Sequence, residues 1–60
     1  MEKFKKGDKV KYIGPDVVAY EPGKIYTVLD IDEELEGYEV YSESLEDAFI
    51  VPYDFFEEAN

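Results

Sequence analysis

Cysteine, histidine, arginine and tryptophan are all missing from this 60-residue chain. Without cysteine there is no disulfide, and without cysteine or histidine the usual zinc ligand sets are excluded. No apolar run approaches the roughly 20 residues of a membrane-spanning helix. Met1-Glu2-Lys3-Phe4 begins no signal peptide, so a soluble cytoplasmic protein is expected. Positive charge is scarce and confined. All six lysines (Lys3, Lys5, Lys6, Lys9, Lys11, Lys24) lie in residues 1–29, which carry a net +2, whereas residues 30–60 hold twelve acids and no base. The whole chain therefore carries −10, a charge that bounds its partners.

What is present is apolar and aromatic: 45% hydrophobic residues, with six Tyr and four Phe. A chain this short buries only about 60% of the surface it exposes when unfolded, so one small domain, held by packing alone, is expected. The segment Lys9-Val10-Lys11-Tyr12-Ile13 alternates polar and apolar residues, the period of a half-buried strand. Gly14-Pro15-Asp16 stops it. Val17 to Tyr20 is an apolar stretch within a loop that ends at the turn Glu21-Pro22-Gly23. Residues 24–31, Lys-Ile-Tyr-Thr-Val-Leu-Asp-Ile, form the strongest strand, and a bulge at Leu29 or Asp30 would bring Ile31 to the Tyr26 side. Residues 32–37 read as an acidic hairpin loop closed by glycine. Tyr38-Glu39-Val40-Tyr41 and Ala48-Phe49-Ile50-Val51 read as further strands. Pro52-Tyr53-Asp54-Phe55 suits one turn of 3₁₀ helix, after which the chain from Phe55 to Glu58 would close the sheet. A helix across residues 30–45 is opposed by Gly37 and by the β-rich segment that follows it. The reading is a single all-β domain, a small barrel of about five short strands without internal repeats. Its expected core is Val10, Tyr12, Tyr26, Val28, Val40, Phe49, Val51 and Phe56.

The order of these features resembles that of small SH3-like β-barrel proteins, and more closely the short uncharacterised ones of Firmicutes and their phages. The residues that carry the likeness are Gly7-Asp8-Lys9-Val10-Lys11-Tyr12-Ile13-Gly14, the run from Gly23 to Ile31, Gly37-Tyr38-Glu39-Val40, and Phe49 through Glu57. It spans roughly residues 7–58. The resemblance implies a long loop after the first strand, three meander strands, a 3₁₀ turn before the last strand and a closing strand. It implies no catalytic residue. The Trp of peptide-binding SH3 grooves is missing, and RNA-binding barrels of this shape use basic loops, the opposite sign to this surface.

Residues 30–37 alternate acids as a calcium loop does. An EF-hand needs Gly at its sixth position and Glu at its twelfth, however, and counting from Asp30 those positions hold Leu35 and Tyr41. The run is read as a solvated hairpin tip. Paired-carboxylate catalysis needs an enclosed acid, and Ser42 and Ser44 have no His to activate them, so no enzyme and no cofactor are expected. The glycines are separated turn residues, not a phosphate cradle. Lys9 and Lys11 share the outward face of the first strand. They are expected to meet acids such as Glu57 and Glu58, because a −10 chain repels a phosphate backbone. The function expected is a non-catalytic module that contacts a protein through the Tyr20 loop and the acidic hairpin (Asp32, Glu33, Glu34, Glu36), with Tyr53 nearby. The alternative is an inhibitor whose acids, including Asp30, Glu39, Glu43, Glu46 and Asp47, imitate a nucleic acid before a DNA- or RNA-binding protein. No membrane partner is expected, and residues alone do not fix the oligomeric state.

Overall fold

The computed structural model describes residues 3–59. Alternation of charged and apolar residues makes Lys9–Tyr12 a strand (β1) with Val10 and Tyr12 buried. The β-branched and aromatic run that follows forms β2, Ile25–Asp32. After it come β3 (Gly37–Ser42), β4 (Asp47–Pro52), a 3₁₀ turn (Tyr53–Phe55) and β5 (Phe56–Glu58). All the strand pairs are antiparallel, in the order β4-β3-β2-β1-β5. The elements expected from the sequence are thus present, each within a residue or two of its expected bounds.

β2 serves two partners. Its first residues pair with β1 (Lys9 opposite Thr27, Val10 opposite Tyr26), and from Val28 onward it pairs with β3. Between Val28 and Asp30 the β2 strand advances two residues while β3 advances one, which is a bulge at Leu29. The Asp30 carboxylate accepts the Ile31 N–H at 2.9 Å. The bulge brings both Val28 and Ile31 to the core side, as the sequence suggested.

Barrel closure is not formed. β4 and β5 are the two edges of an open sheet, although the sheet curls enough to set Phe56 of β5 5.8 Å from Tyr38 of β3, ring to ring. Both edges are blunted. β5 is three residues long and carries Glu57 and Glu58. On β4 the Asp47 carboxylate takes the Ala48 N–H at 2.8 Å, and Pro52 has no N–H to offer.

The core comprises Phe4, Val10, Tyr12, Tyr20, Val28, Tyr38, Val40, Val51 and Phe56, with Tyr26 half-buried against it. Each such side chain contributes on the order of 1.5–3 kcal/mol by leaving water. Phe49, expected inside, is 40% exposed. It does lie opposite Val40 on the inward face, but β4 is an edge, so no strand beyond it covers the ring.

Tyrosine hydroxyls hold the irregular segments in place of disulfides. Tyr12 donates to the Pro15 carbonyl at 2.6 Å and Tyr20 to the Val40 carbonyl at 2.6 Å. The Tyr26 hydroxyl accepts the Glu21 N–H at 3.0 Å, and Tyr38 accepts the N–H groups of Lys3 and Phe4 at 2.8 and 3.1 Å. No buried side-chain N or O atom among the described residues lacks a partner. A buried tyrosine is thus a core ring with a satisfied polar tip.

One hairpin-loop conformation occurs twice in the chain. Residues 32–37 (Asp-Glu-Glu-Leu-Glu-Gly) and 42–47 (Ser-Glu-Ser-Leu-Glu-Asp) form the same hairpin loop twice. In each, the first side chain accepts the leucine N–H: Asp32 from Leu35 at 3.0 Å, Ser42 from Leu45 at 3.3 Å. In each, the fifth residue is left-handed, Glu36 at φ 54° and Glu46 at φ 55°. Glu, Leu and Glu recur at the second, fourth and fifth positions, and at the first Asp and Ser do the same turn-forming work.

Candidate functional site

The loop of residues 13–24 follows β1 and returns at the Glu21-Pro22-Gly23 turn. There Gly23 takes φ 90° and the Lys24 N–H meets the Glu21 carbonyl at 3.2 Å. Three hydroxyls fasten this loop to the β3–β4 hairpin: Tyr20 to the Val40 carbonyl, Ser42 to the Ala19 carbonyl at 2.8 Å, and Ser44 to the Val18 carbonyl. Between the fastened loop, the hairpin and the 3₁₀ turn runs an apolar groove of about 290 Å³. Pro15 and Val17 form its loop wall, Leu45 and Phe49 its hairpin wall, and Phe55 closes it at the 3₁₀ turn. Val17, Leu45 and Phe49 all expose apolar side chain to solvent.

Charge around the groove has one sign. Asp16 stands between Pro15 and Val17, Glu46 follows Leu45, and Asp54 precedes Phe55, while no lysine lines the cavity. The lysines of β1 are engaged elsewhere. Lys11 Nζ lies 3.3 Å from Glu57 Oε2, the cross-strand pairing expected from the sequence, and Lys9 Nζ donates to Thr27 Oγ1 at 2.7 Å. Exposed pairs of this kind contribute roughly 0.2–1 kcal/mol, so they orient charge more than they stabilise the fold.

Tyr12 and Tyr20 form the groove floor, their rings 5.5 Å apart. Burial first, then the neighbouring Tyr26 phenol and Asp16 carboxylate, push the Tyr12 phenol above its ordinary value of 10.0. Burial also pushes Tyr20 up, against a hydrogen bond from the Phe49 backbone N–H.

The residues singled out by sequence are distributed as follows. Tyr20, expected as a contact residue, is 4% exposed and supports the groove from beneath. Its hydroxyl finds a backbone carbonyl, so the whole ring can enter the core. Glu33, Glu34 and Glu36 project from the β2–β3 hairpin tip, and Asp32 is half-buried at its base. Tyr53 joins them, its N–H donating to the Glu36 carbonyl at 3.0 Å and its ring 4.8 Å from that of Tyr38. The 3₁₀ turn therefore connects the two regions, Tyr53 holding the acidic hairpin and Phe55 lining the groove. Sequence reading missed Leu45, Phe49 and Pro15 as neighbours of Val17. They come from three separate segments, and the only local signal was that each is an apolar residue beside a turn or an edge.

Among the described residues, no group of three or more acids is arranged to hold a metal ion, and no helix is long and apolar enough to cross a membrane. No protein-family model matches the chain, nor does any curated protein or solved structure.

Proposed function

We propose that this chain is a non-catalytic protein-interaction module of the cytoplasm, built on an SH3-like framework, whose groove takes an apolar segment of a partner protein flanked by basic residues. The observation that carries this reading is the groove itself. Val17, Leu45 and Phe49 come together from a loop, a turn and an edge strand, and all three stay partly in water although the core lies directly below. Apolar anchors in a partner would gain by covering them. The acids beside the groove select the flanks, since a basic segment meets attraction there and an acidic one meets repulsion. In this reading Tyr20 holds the groove wall, while Tyr53 and the acids Asp32, Glu33, Glu34 and Glu36 extend the acidic rim.

A nucleic-acid mimic is the weaker reading. Mimicry of phosphates uses charge alone, yet each acidic hairpin loop also carries an exposed leucine, Leu35 at 65% and Leu45 at 47%. The separating experiment is a set of parallel pull-downs with three baits: the unaltered protein, Val17→Asp with Leu45→Asp, and Glu33→Gln with Glu34→Gln and Glu36→Gln. A groove partner is lost from the second bait and kept by the third through a high-salt wash. A partner lost from the third bait and from the salt wash, but kept by the second, belongs to a mimic.

A further inference from the structure

Phe49, Ile50, Val51 and Pro52 all line the groove, so it runs beside the free edge of β4. The backbone of that edge is open at one residue. Val28 donates its N–H to the Asp8 carbonyl and accepts the Gly7 N–H, so it makes no ladder bond to Val40 opposite. Antiparallel ladders alternate, and Val40 therefore turns its backbone to Phe49 on β4. By the same alternation Ala48, Ile50 and Pro52 turn theirs away from β3. The Asp47 carboxylate already takes the Ala48 N–H, and Pro52 has no N–H. Ile50 alone on β4 thus presents both an N–H and a carbonyl outward, and no described residue bonds either group.

Side chains alternate as well. Phe49 and Val51 lie opposite the buried Val40 and Tyr38, on the face that holds the groove. Ile50 turns to the outer face, 39% exposed, beside Glu39 of β3, which itself stands opposite Asp30 of β2. Neither acid is paired with a base among the described residues. A residue paired with Ile50 would extend this row. With strands about 4.8 Å apart it stands about 10 Å from Glu39, a span that a long basic side chain covers by lying over Ile50. Its two neighbours in the same segment turn to the other face, beside Phe49 and Val51, where the groove opens.

We infer that the partner segment adds to β4 as a short antiparallel strand, an inference that rests on the groove binding proposed above. A basic residue pairs with Ile50, and the apolar residues on either side of it enter the groove. Antiparallel pairing places both bonds on one residue, which suits an edge with one open position. The blunting of β4 then sets the register, since the other outward positions offer a bonded N–H at Ala48 and none at Pro52.

The probe is a capped synthetic peptide, Lys-Thr-Ile-Lys-Ile-Thr-Lys, titrated into the isotope-labelled protein to about 1 mM at about 0.15 M salt. Amide shifts give the affinity, and hydrogen exchange at the Ile50 amide should slow on binding. Methylating the backbone nitrogen of the central lysine removes the proton offered to the Ile50 carbonyl and should weaken binding by about tenfold. Glutamate in place of that lysine should also weaken it by about tenfold. Glu39→Lys should remove this preference for lysine, although the chain stays strongly acidic and still attracts the flanking lysines. No binding at about 1 mM overturns the inference. So does an N-methylated peptide that binds equally well, or a lysine preference that survives Glu39→Lys. Val17→Asp combined with Leu45→Asp separates the two readings. A peptide weakened by that variant, but never slowing exchange at Ile50, keeps the groove and overturns the strand. A peptide that still binds that variant, and still slows exchange at Ile50, supports the strand and overturns the groove.

Discussion

The Tyr20 hydroxyl donates to the Val40 carbonyl at 2.6 Å, and this bond ties the long loop to the centre of β3. The ring is buried between loop and sheet, 5.5 Å from Tyr12 and 5.3 Å from Tyr26. Position and chemistry together make Tyr20 a fastening of the groove wall. Tyr20→Phe keeps the ring and loses the bond, leaving a carbonyl short of one partner. It should cost about 1 kcal/mol in urea unfolding, the usual net worth of one hydrogen bond. Tyr20→Ala also empties the floor and should cost about 3–5 kcal/mol, as truncations of large aromatics do. In a domain this small that change unfolds much of the population, so binding by Tyr20→Phe is the informative measurement.

Alkaline pH should act through the same rings. Tyr12 and Tyr20 both have phenols raised above 10.0 by burial, so the folded state holds these protons more tightly than the unfolded chain. Their contribution is complete below pH 10.0 and is lost as pH rises from there through the folded values. Urea midpoints taken at increasing pH should be level on this account up to that point and then fall. Tyr12→Phe and Tyr20→Phe should each make the fall shallower, and an unchanged slope would contradict the assignment.

The twin loops offer a stabilising change. Glu36 and Glu46 sit at positive φ, where an L-residue costs roughly 1–2 kcal/mol and glycine does not. After the greater chain entropy of unfolded glycine is set against this, Glu46→Gly should raise stability by about 0.5–1 kcal/mol, visible as a higher denaturant midpoint. Glu36→Gly should do the same, and because the loops are separate the two gains should add.

Gly37 is constrained by space. A Cβ at this position would lie 2.6 Å from the Val51 carbonyl oxygen and 2.8 Å from the Ile50 side chain. Backbone cannot swing aside as a long side chain does, so Gly37→Ala should push β3 from β4 and cost about 1–3 kcal/mol. Gly23→Ala, with open space but φ 90°, should cost less, and thermal unfolding of the pair would separate clash from backbone strain.

Local patterns in the chain carried the strand sequence, the Leu29 bulge, the 3₁₀ turn after Pro52 and the Lys11–Glu57 pairing. The first three depend on alternation or turn chemistry within a few residues, and the last on opposite charges carried by the first and last strands. What was not legible depends on the far side of the fold. Phe49 has the alternation of a core residue, but its burial is decided by β4 being an edge. Tyr20 and Tyr38 look equally at home in water, and they enter the core because a Val40 carbonyl and the N–H groups of Lys3 and Phe4 meet their hydroxyls. The acidic hairpin and Tyr53 were legible as features, and their hydrogen-bonded contact fits the expectation that they lie near each other. The groove was not legible, because Val17, Leu45 and Phe49 meet only after three hydroxyls have drawn the loop onto the hairpin.

The most direct test of the groove is an amide chemical-shift map of the isotope-labelled protein, titrated with the partner captured by the unaltered bait. The account predicts that the largest changes fall on Val17, Leu45, Phe49 and Phe55 and that they persist in high salt. Changes confined to Asp32, Glu33, Glu34 and Glu36, and erased by salt, would contradict it.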